Sequence, residues 1–333
     1  MYLEFFSLKE FPFANGCDER FYFESDSHNE ALANMLYTVR QRRGMVLVTG
    51  EVGSGKTFLA NMLDSRLGTE GTVISVRHPP SSPRQLLRAL LSGLGKSAEP
   101  GTDRLSLLEL AETELERKHR RRRIVALLLD ECQGLPNEVL EEVRMLWNWE
   151  RDGQRLLQIV LIGQPEFLDR LADPRWESLR QRIILSYHLG RLSTRATVLY
   201  ILHRRTVAAH NGCRLRFTLE AMKLIYRCTQ GIPRMINSLC DNALLVAYAR
   251  GQHKITSDIV MNVVNDMSSW SLHGTPMEII REAEAEEPPE SPEPALDESP
   301  ASAEEGRYVA EPDGPAHDAE ASGDTWEITY PQP

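Results

Sequence analysis

The chain has 333 residues, 48 acidic against 38 basic, for a net charge of −10; residues 278–333 alone hold 17 acidic and 2 basic side chains, which leaves +5 on the rest. Strand-sized apolar runs, far short of the roughly 20 residues of a membrane helix, exclude a membrane span. The start lacks the basic region of a secretory leader, and five scattered cysteines with no C-x-x-C spacing exclude a zinc or disulfide framework. A reducing, cytoplasmic location is expected.

In chain order, residues 45–49 read as a strand, followed by a Gly-rich turn and a helix over 57–67. A strand at 72–76 precedes helices near 83–94 and 105–119. The apolar run 124–129 is a further strand, then come a helix over 137–149, a buried strand at 156–162 and a last strand at 184–188. Apolar strands joined by helices predict an α/β fold, a parallel sheet with helices on both faces. Beyond Gly190 the strand signal stops, and 194–211, 219–229, 233–250 and 257–267 read as helices. The expected organisation is a parallel-sheet domain at 1–190 and an all-α domain at 191–270. An acidic tail follows at 277–333, too poor in large apolar residues to offset its ordering entropy and so expected to be disordered.

Gly50-Glu51-Val52-Gly53-Ser54-Gly55-Lys56-Thr57 fits the phosphate-loop pattern G-x-x-x-x-G-K-[ST] between a predicted strand and a predicted helix. Glycines let the backbone bring N–H groups onto phosphate oxygens, and the helix start adds its positive dipole end. Lys56 supplies a cation for the β and γ phosphates, and the Thr57 hydroxyl completes a Mg²⁺ shell. The nucleotide-binding set runs from Gly50 through Phe58, with ATP and Mg²⁺ as the expected ligands. The strand 124–129 ends in Asp130-Glu131, which places two carboxylates at the edge where α/β sheets bind ligands. Asp130 is expected to hold Mg²⁺, Glu131 to activate the attacking water.

Other features leave two readings each. Gln164, in Gly163-Gln164-Pro165, either orients the water or is a loop glutamine. Arg180 and Arg182 either reach a neighbour's γ-phosphate or form surface ion pairs. Gly231-Ile232-Pro233-Arg234 opens a lid helix with Arg234 able to face the nucleotide. Trp147 and Trp149 are core packing or an interaction surface. The block Arg117-Lys118-His119-Arg120-Arg121-Arg122-Arg123 could bind DNA or anionic lipid, cap a solvated helix end, or receive the tail.

Together these motifs resemble an AAA+ ATPase, and more narrowly the ExeA/GspA type (general secretion pathway protein A and MshM-like relatives). The resemblance rests on Phe11-Pro12-Phe13, Asp18-Glu19-Arg20-Phe21-Tyr22, Ser27-His28-Asn29-Glu30-Ala31-Leu32, Leu129-Asp130-Glu131-Cys132-Gln133, the Gly163-Gln164-Pro165 turn, Leu179-Arg180-Gln181-Arg182-Ile183 and Gly231-Ile232-Pro233-Arg234. It implies sheet order 5-1-4-3-2, nucleotide-dependent homo-oligomers with sites between subunits, and trans roles for Arg180 or Arg182. It further implies a sensing role for Arg234 and an adenine-side wall from residues 11–28. The function it implies is ATP hydrolysis that drives or switches assembly of a bacterial secretion, pilus or exopolysaccharide-export machine, with a protein partner from that system. The family's membrane helix and cell-wall-binding domain find no match in the sequence. A second resemblance is to transposition ATPases of the TnsC/TniB type, which act on DNA; the +5 body suits it, and the lack of a DNA-reading module after Met267 counts against it.

Overall fold

The computed structural model describes residues 2–268, so the predicted acidic tail lies outside the described residues. Five strands form one parallel sheet: β1 (Met45–Gly50), β2 (Gly71–Val76), β3 (Ile124–Leu129), β4 (Gln158–Gly163) and β5 (Ile183–Leu189). Their spatial order is β2-β3-β4-β1-β5, the order the resemblance implied. The three middle strands are buried along their whole length, which is why they read as unbroken apolar runs. Edge strand β5 instead alternates between half-buried and exposed positions up to Tyr187–His188, before Leu189 turns fully inward. Within the middle strands the side-chain period of two divides the core. Met45, Leu47, Leu127, Ile159 and Leu161 face one helical layer, and Val46, Val48, Ala126, Leu128, Val160 and Ile162 face the other.

The chain opens with a short helix, α1 (Tyr2–Phe6). The Val46 face is covered by α2 (Asp26–Arg40), capped by Ser25, and α3 (Lys56–Leu67). The Met45 face is covered by α4 (Pro83–Gly93), with Ser82 as cap and Pro83 in its first turn, α5 (Arg104–Arg120), capped by Asp103, and α6 (Asn137–Leu146). Buried Trp176, between α7 (Glu166–Ala172) and α8 (Glu177–Arg180), belongs to the same core. After the sheet come α9 (Thr194–Ala208), α10 (Leu219–Thr229), α11 (Pro233–Ala249) and α12 (Ser257–Ser268), which share a separate core.

Several elements depart from the sequence pattern. α1, α2, α7 and α8 stand where no element was predicted. The helix expected over 137–149 stops at Leu146, and the chain then makes a hairpin pairing Glu150–Arg151 with Gln154–Arg155. Its turn is Asp152-Gly153, both at positive φ (52° and 72°), a short-range signal present in the sequence. Trp147 and Trp149 pack against the sheet core, and the Trp147 ring lies under the guanidinium of Arg155 at 3.7 Å, with Arg182 at 5.1 Å. That is the core reading, with cation–π stacking added. The helix expected over 194–211 ends at Ala208 because Ala209 pairs with Leu8 in an antiparallel bridge.

That bridge marks a larger departure. Tyr2, Phe6, Leu8, Phe13 and Phe21 sit in the core of α9–α12, although their sequence position groups them with the sheet. Buried Arg204 of α9 fastens this segment: its Nε and Nη2 donate to the carbonyls of Pro12 and Ala14, each at 2.7 Å, and its Nη1 to the Tyr200 hydroxyl at 3.2 Å. The Tyr200 hydroxyl donates to Asn237 Oδ1, and Asn237 Nδ2 to Asn15 Oδ1. Arg204→Ala leaves the Pro12 carbonyl unpaired in a buried setting and frees that of Ala14. It should lower unfolding stability by about 3 kcal/mol, read as a lower urea midpoint with an unchanged slope.

Candidate active site

β1 runs straight into the phosphate loop, and α3 starts at Lys56. Gly53 and Gly55 take φ of +85° and +105°. Space as well as conformation demands glycine here. A Cβ on Gly53 would lie 2.7 Å from Arg234 Cβ, and one on Gly55 would lie 2.8 Å from His28 Nε2. Gly55 stands at the N-cap of α3 and offers no side-chain acceptor, so the first-turn N–H groups have no capping side chain. Ser54 Oγ is buried with no hydrogen-bond partner among the described residues. Lys56 Nζ is folded back onto the loop, donating to the carbonyls of Gly50 and Glu51, each at 2.7 Å. Burial pushes its ammonium pKa down, while Glu131 and Asp130 act against that. Uncapped amides, an unpartnered hydroxyl and a lysine held by loop carbonyls alone suit a polyphosphate.

The acid pair follows from strand geometry. β3 ends at Leu129, the Asp130 amide continues the ladder by donating to the Val76 carbonyl, and the side chain emerges at the carboxyl edge of the sheet. Thr57 Oγ1 donates to Asp130 Oδ2 at 3.1 Å, so the two oxygen ligands expected for a magnesium ion already touch. Glu131 takes left-handed backbone angles, φ 52° and ψ 41°, with its N–H on Asp130 Oδ1 at 2.9 Å. Its carboxylate accepts from Gln133 Nε2 and from Gln164 Nε2, the latter at 3.2 Å. The Gln133 amide, then Gln164 and the cations Lys56 and Arg234, hold the Glu131 carboxyl below the usual range against partial burial. It is an ionised carboxylate at neutral pH, the form in which it can accept a proton.

The lid closes on the same loop. The Arg234 amide, at the start of α11, donates to the Gly53 carbonyl at 3.2 Å. Beside the loop, Phe21, Tyr22, Phe23, His28, Phe58 and Tyr200 line an apolar pocket in which Tyr22 and Phe58 stack at 5.7 Å. His28 bridges Ser25 Oγ at 2.6 Å and the Ser54 carbonyl at 3.1 Å, and burial depresses its pKa. Residues 21–23 and 28 thus line the pocket beside the loop.

Gly50 through Phe58, Asp130, Glu131, Gln164 and Arg234 therefore meet at one place. Arg180 and Arg182 do not. β5 is parallel to β1 with Met45 opposite Ile183, so both arginines lie at the amino edge, a six-residue strand or about 20 Å from the carboxyl edge. Arg182 is engaged within its own chain by Ser178 and Trp147, whereas exposed Arg180 has no side-chain partner among the described residues. The basic block lies at that same edge. Arg117 pairs with Glu114, Arg120 with Glu116 and His119 with Asp152. Gln133 is a site residue that sequence reasoning passed over. So is Arg191, whose Nε donates to Glu51 Oε1 at 2.9 Å. Gln133 stood inside a quoted motif; nothing in the sequence marked Arg191.

A phosphate loop and acid pair at the carboxyl edge of a sheet ordered β2-β3-β4-β1-β5, touched by a helical lid, define a P-loop fold of the AAA+ class. Residues 39–171 match the family described as AAA domain. Within that class the chain is similar to the ExeA/GspA type. It is 37% identical over 276 residues to general secretion pathway protein A of Aeromonas hydrophila, an overlap of 83% of this chain and 50% of the relative. The chain thus spans half the length of that relative. Among solved structures, Cdc6p of Pyrobaculum aerophilum is similar in fold with a TM-score of 0.62 at 15% identity, over 79% of this chain and 71% of that one. The Aeropyrum pernix ORC2 protein gives 0.57 at 16% identity, over 74% and 71%. No described helix is long and apolar enough to cross a membrane.

Lys56→Ala removes the cation from the loop. It should weaken ATP binding by about a hundredfold or more, a loss of at least ~2.7 kcal/mol, measured by titration calorimetry against the unchanged chain.

Proposed function

We propose that the protein binds ATP with Mg²⁺ and hydrolyses it at contacts between copies of itself. The cycle drives or switches assembly of a secretion, pilus or exopolysaccharide-export machine on the cytoplasmic side, with a protein of that machine as partner. One observation carries the hydrolysis reading: Thr57, Asp130, Glu131 and Gln164 are hydrogen-bonded in series at one sheet edge, beside Lys56 on the loop carbonyls and with the lid's Arg234 against the same loop. The identity to a general secretion pathway protein supports the machine.

In this reading the loop amides of residues 53–57 and Lys56 bind the phosphates, and the Tyr22–Phe58 pocket takes the base. Thr57 and Asp130 would hold a magnesium ion, which would supply positive charge to offset that of the phosphates. Glu131 accepts the proton of the attacking water, Gln164 orients that water, and Arg234 reports the γ-phosphate to the lid. Arg180, unpartnered at the opposite edge, serves a neighbouring copy; Arg182, held by Ser178 and Trp147, serves its own chain. The transposition-type reading is not favoured by the basic block, where Arg117 and Arg120 are taken up by ion pairs and His119 by a hydrogen bond within the chain.

Glu131→Gln should keep ATP affinity and lose at least about a hundredfold in turnover, the scale of general-base catalysis; phosphate release at the unchanged rate would sink the base assignment. Light-scattering mass of the Glu131→Gln protein should rise from monomer to a defined oligomer when ATP and Mg²⁺ are added, and revert with EDTA. Arg180→Ala should lose turnover and regain part of it on mixing with Glu131→Gln, because the latter supplies the arginine to an intact site. No recovery on mixing removes the trans role.

A further inference from the structure

Gln133 has no part in the reading above, yet its amide joins the two strand ends that carry the chemistry. Nε2 donates to Glu131 Oε2, and Oε1 accepts from the Gln164 backbone N–H at 3.1 Å. The Gln164 side chain closes the ring by donating to the same Glu131 oxygen at 3.2 Å. Glu131 Oε1 has no protein donor among the described residues. Two amides therefore converge on one oxygen of the carboxylate.

The surroundings are built to keep Gln133 there. Arg170 of α7 donates from Nη1 to the carbonyls of Gln133, at 3.2 Å, and Leu135, at 2.6 Å, and from Nη2 to Asn137 Oδ1. A Cβ on Gly163 would lie 2.4 Å from Cys132 Sγ and 3.1 Å from Gln133 Oε1, so glycine at the end of β4 makes the approach possible. Glu131 itself holds left-handed angles that L residues rarely adopt, a conformation that persists where its surroundings enforce it.

We infer that Gln133 is a positioning residue. It sets the plane of the Glu131 carboxylate so that Oε1 meets the attacking water, and it ties that setting to Gln164. The inference rests on the hydrolysis reading, because it assigns how the base is aimed. Methionine matches glutamine in length and cannot make either hydrogen bond, so Gln133→Met separates aim from packing, and Gln133→Ala serves if the methionine variant does not fold.

Phosphate release under saturating ATP and Mg²⁺, together with fluorescent-nucleotide affinity, should be measured for the unchanged chain, Gln133→Met, Gln133→Ala, Glu131→Gln and the Gln133→Met/Glu131→Gln double variant. Gln133→Met should lower kcat about tenfold or more with KM and nucleotide affinity within about twofold, and should add no further loss to Glu131→Gln, since aim is immaterial once the base is gone. Unchanged kcat in both Gln133 variants overturns the inference. So does a fall in nucleotide affinity that accounts for the loss, or the same loss repeated on Glu131→Gln. Equal phosphate release by the unchanged chain and Glu131→Gln alone removes the hydrolysis reading, and the inference with it; that comparison keeps the two failures apart.

Discussion

The backbone amide of Arg234 rests on the carbonyl of Gly53, and on this contact the geometry of the site depends. It holds the start of a lid helix against the tip of the phosphate loop, and both partners are constrained to meet there. A Cβ on Gly53 would strike Arg234, and one on Gly231 would lie 2.0 Å from the Leu192 carbonyl, at the junction where the chain leaves the sheet. Leu192 in turn donates to the Gly231 carbonyl, and Arg191 pairs with Glu51 of the loop. Any ligand that pushes on the loop therefore pushes on the lid through backbone atoms, which yield far less than side chains.

Charge is distributed between the two edges of the sheet with a corresponding logic. At the carboxyl edge, cations Lys56 and Arg234 face acids Asp130 and Glu131, so the site is balanced and lies among uncapped amides that favour an anion. At the amino edge the loops before β1, β3 and β5 carry Arg42, Arg43, Arg121, Arg122, Arg123, Arg180 and Arg182. Cations there are held apart from the site of their own chain by the length of the strands.

The polar network that joins buried Arg204, Tyr200 and Asn237 to exposed Asn15 has a different task. It fastens the first residues of the chain to helices more than 180 positions later, and it borders the nucleotide pocket through Tyr200 and Arg204. Paired as it is, the guanidinium meets carbonyl acceptors and aromatic faces rather than a bare apolar wall. Buried in this way, a cation can be tolerated.

The sequence by itself determined the parallel sheet, the phosphate loop and the acid pair, because each rests on local rules. Apolar runs such as 124–129 must be buried on both faces, glycines such as Gly53 and Gly55 permit positive φ, and carboxylates after a strand emerge at its end. It also determined Arg234 as a residue of the lid turn. What only the tertiary structure decided are relations between distant segments. That residues 2–21 belong to the lid core depends on Arg204 reaching back to Pro12 and Ala14. That Arg182 is engaged and Arg180 free depends on where Trp147 packs. That Gln133 aims Glu131 depends on Gly163 lacking a side chain across the neighbouring strand. No window of sequence contains both partners of such a contact, and hydrogen bonds and close packing exist only once the strands lie side by side.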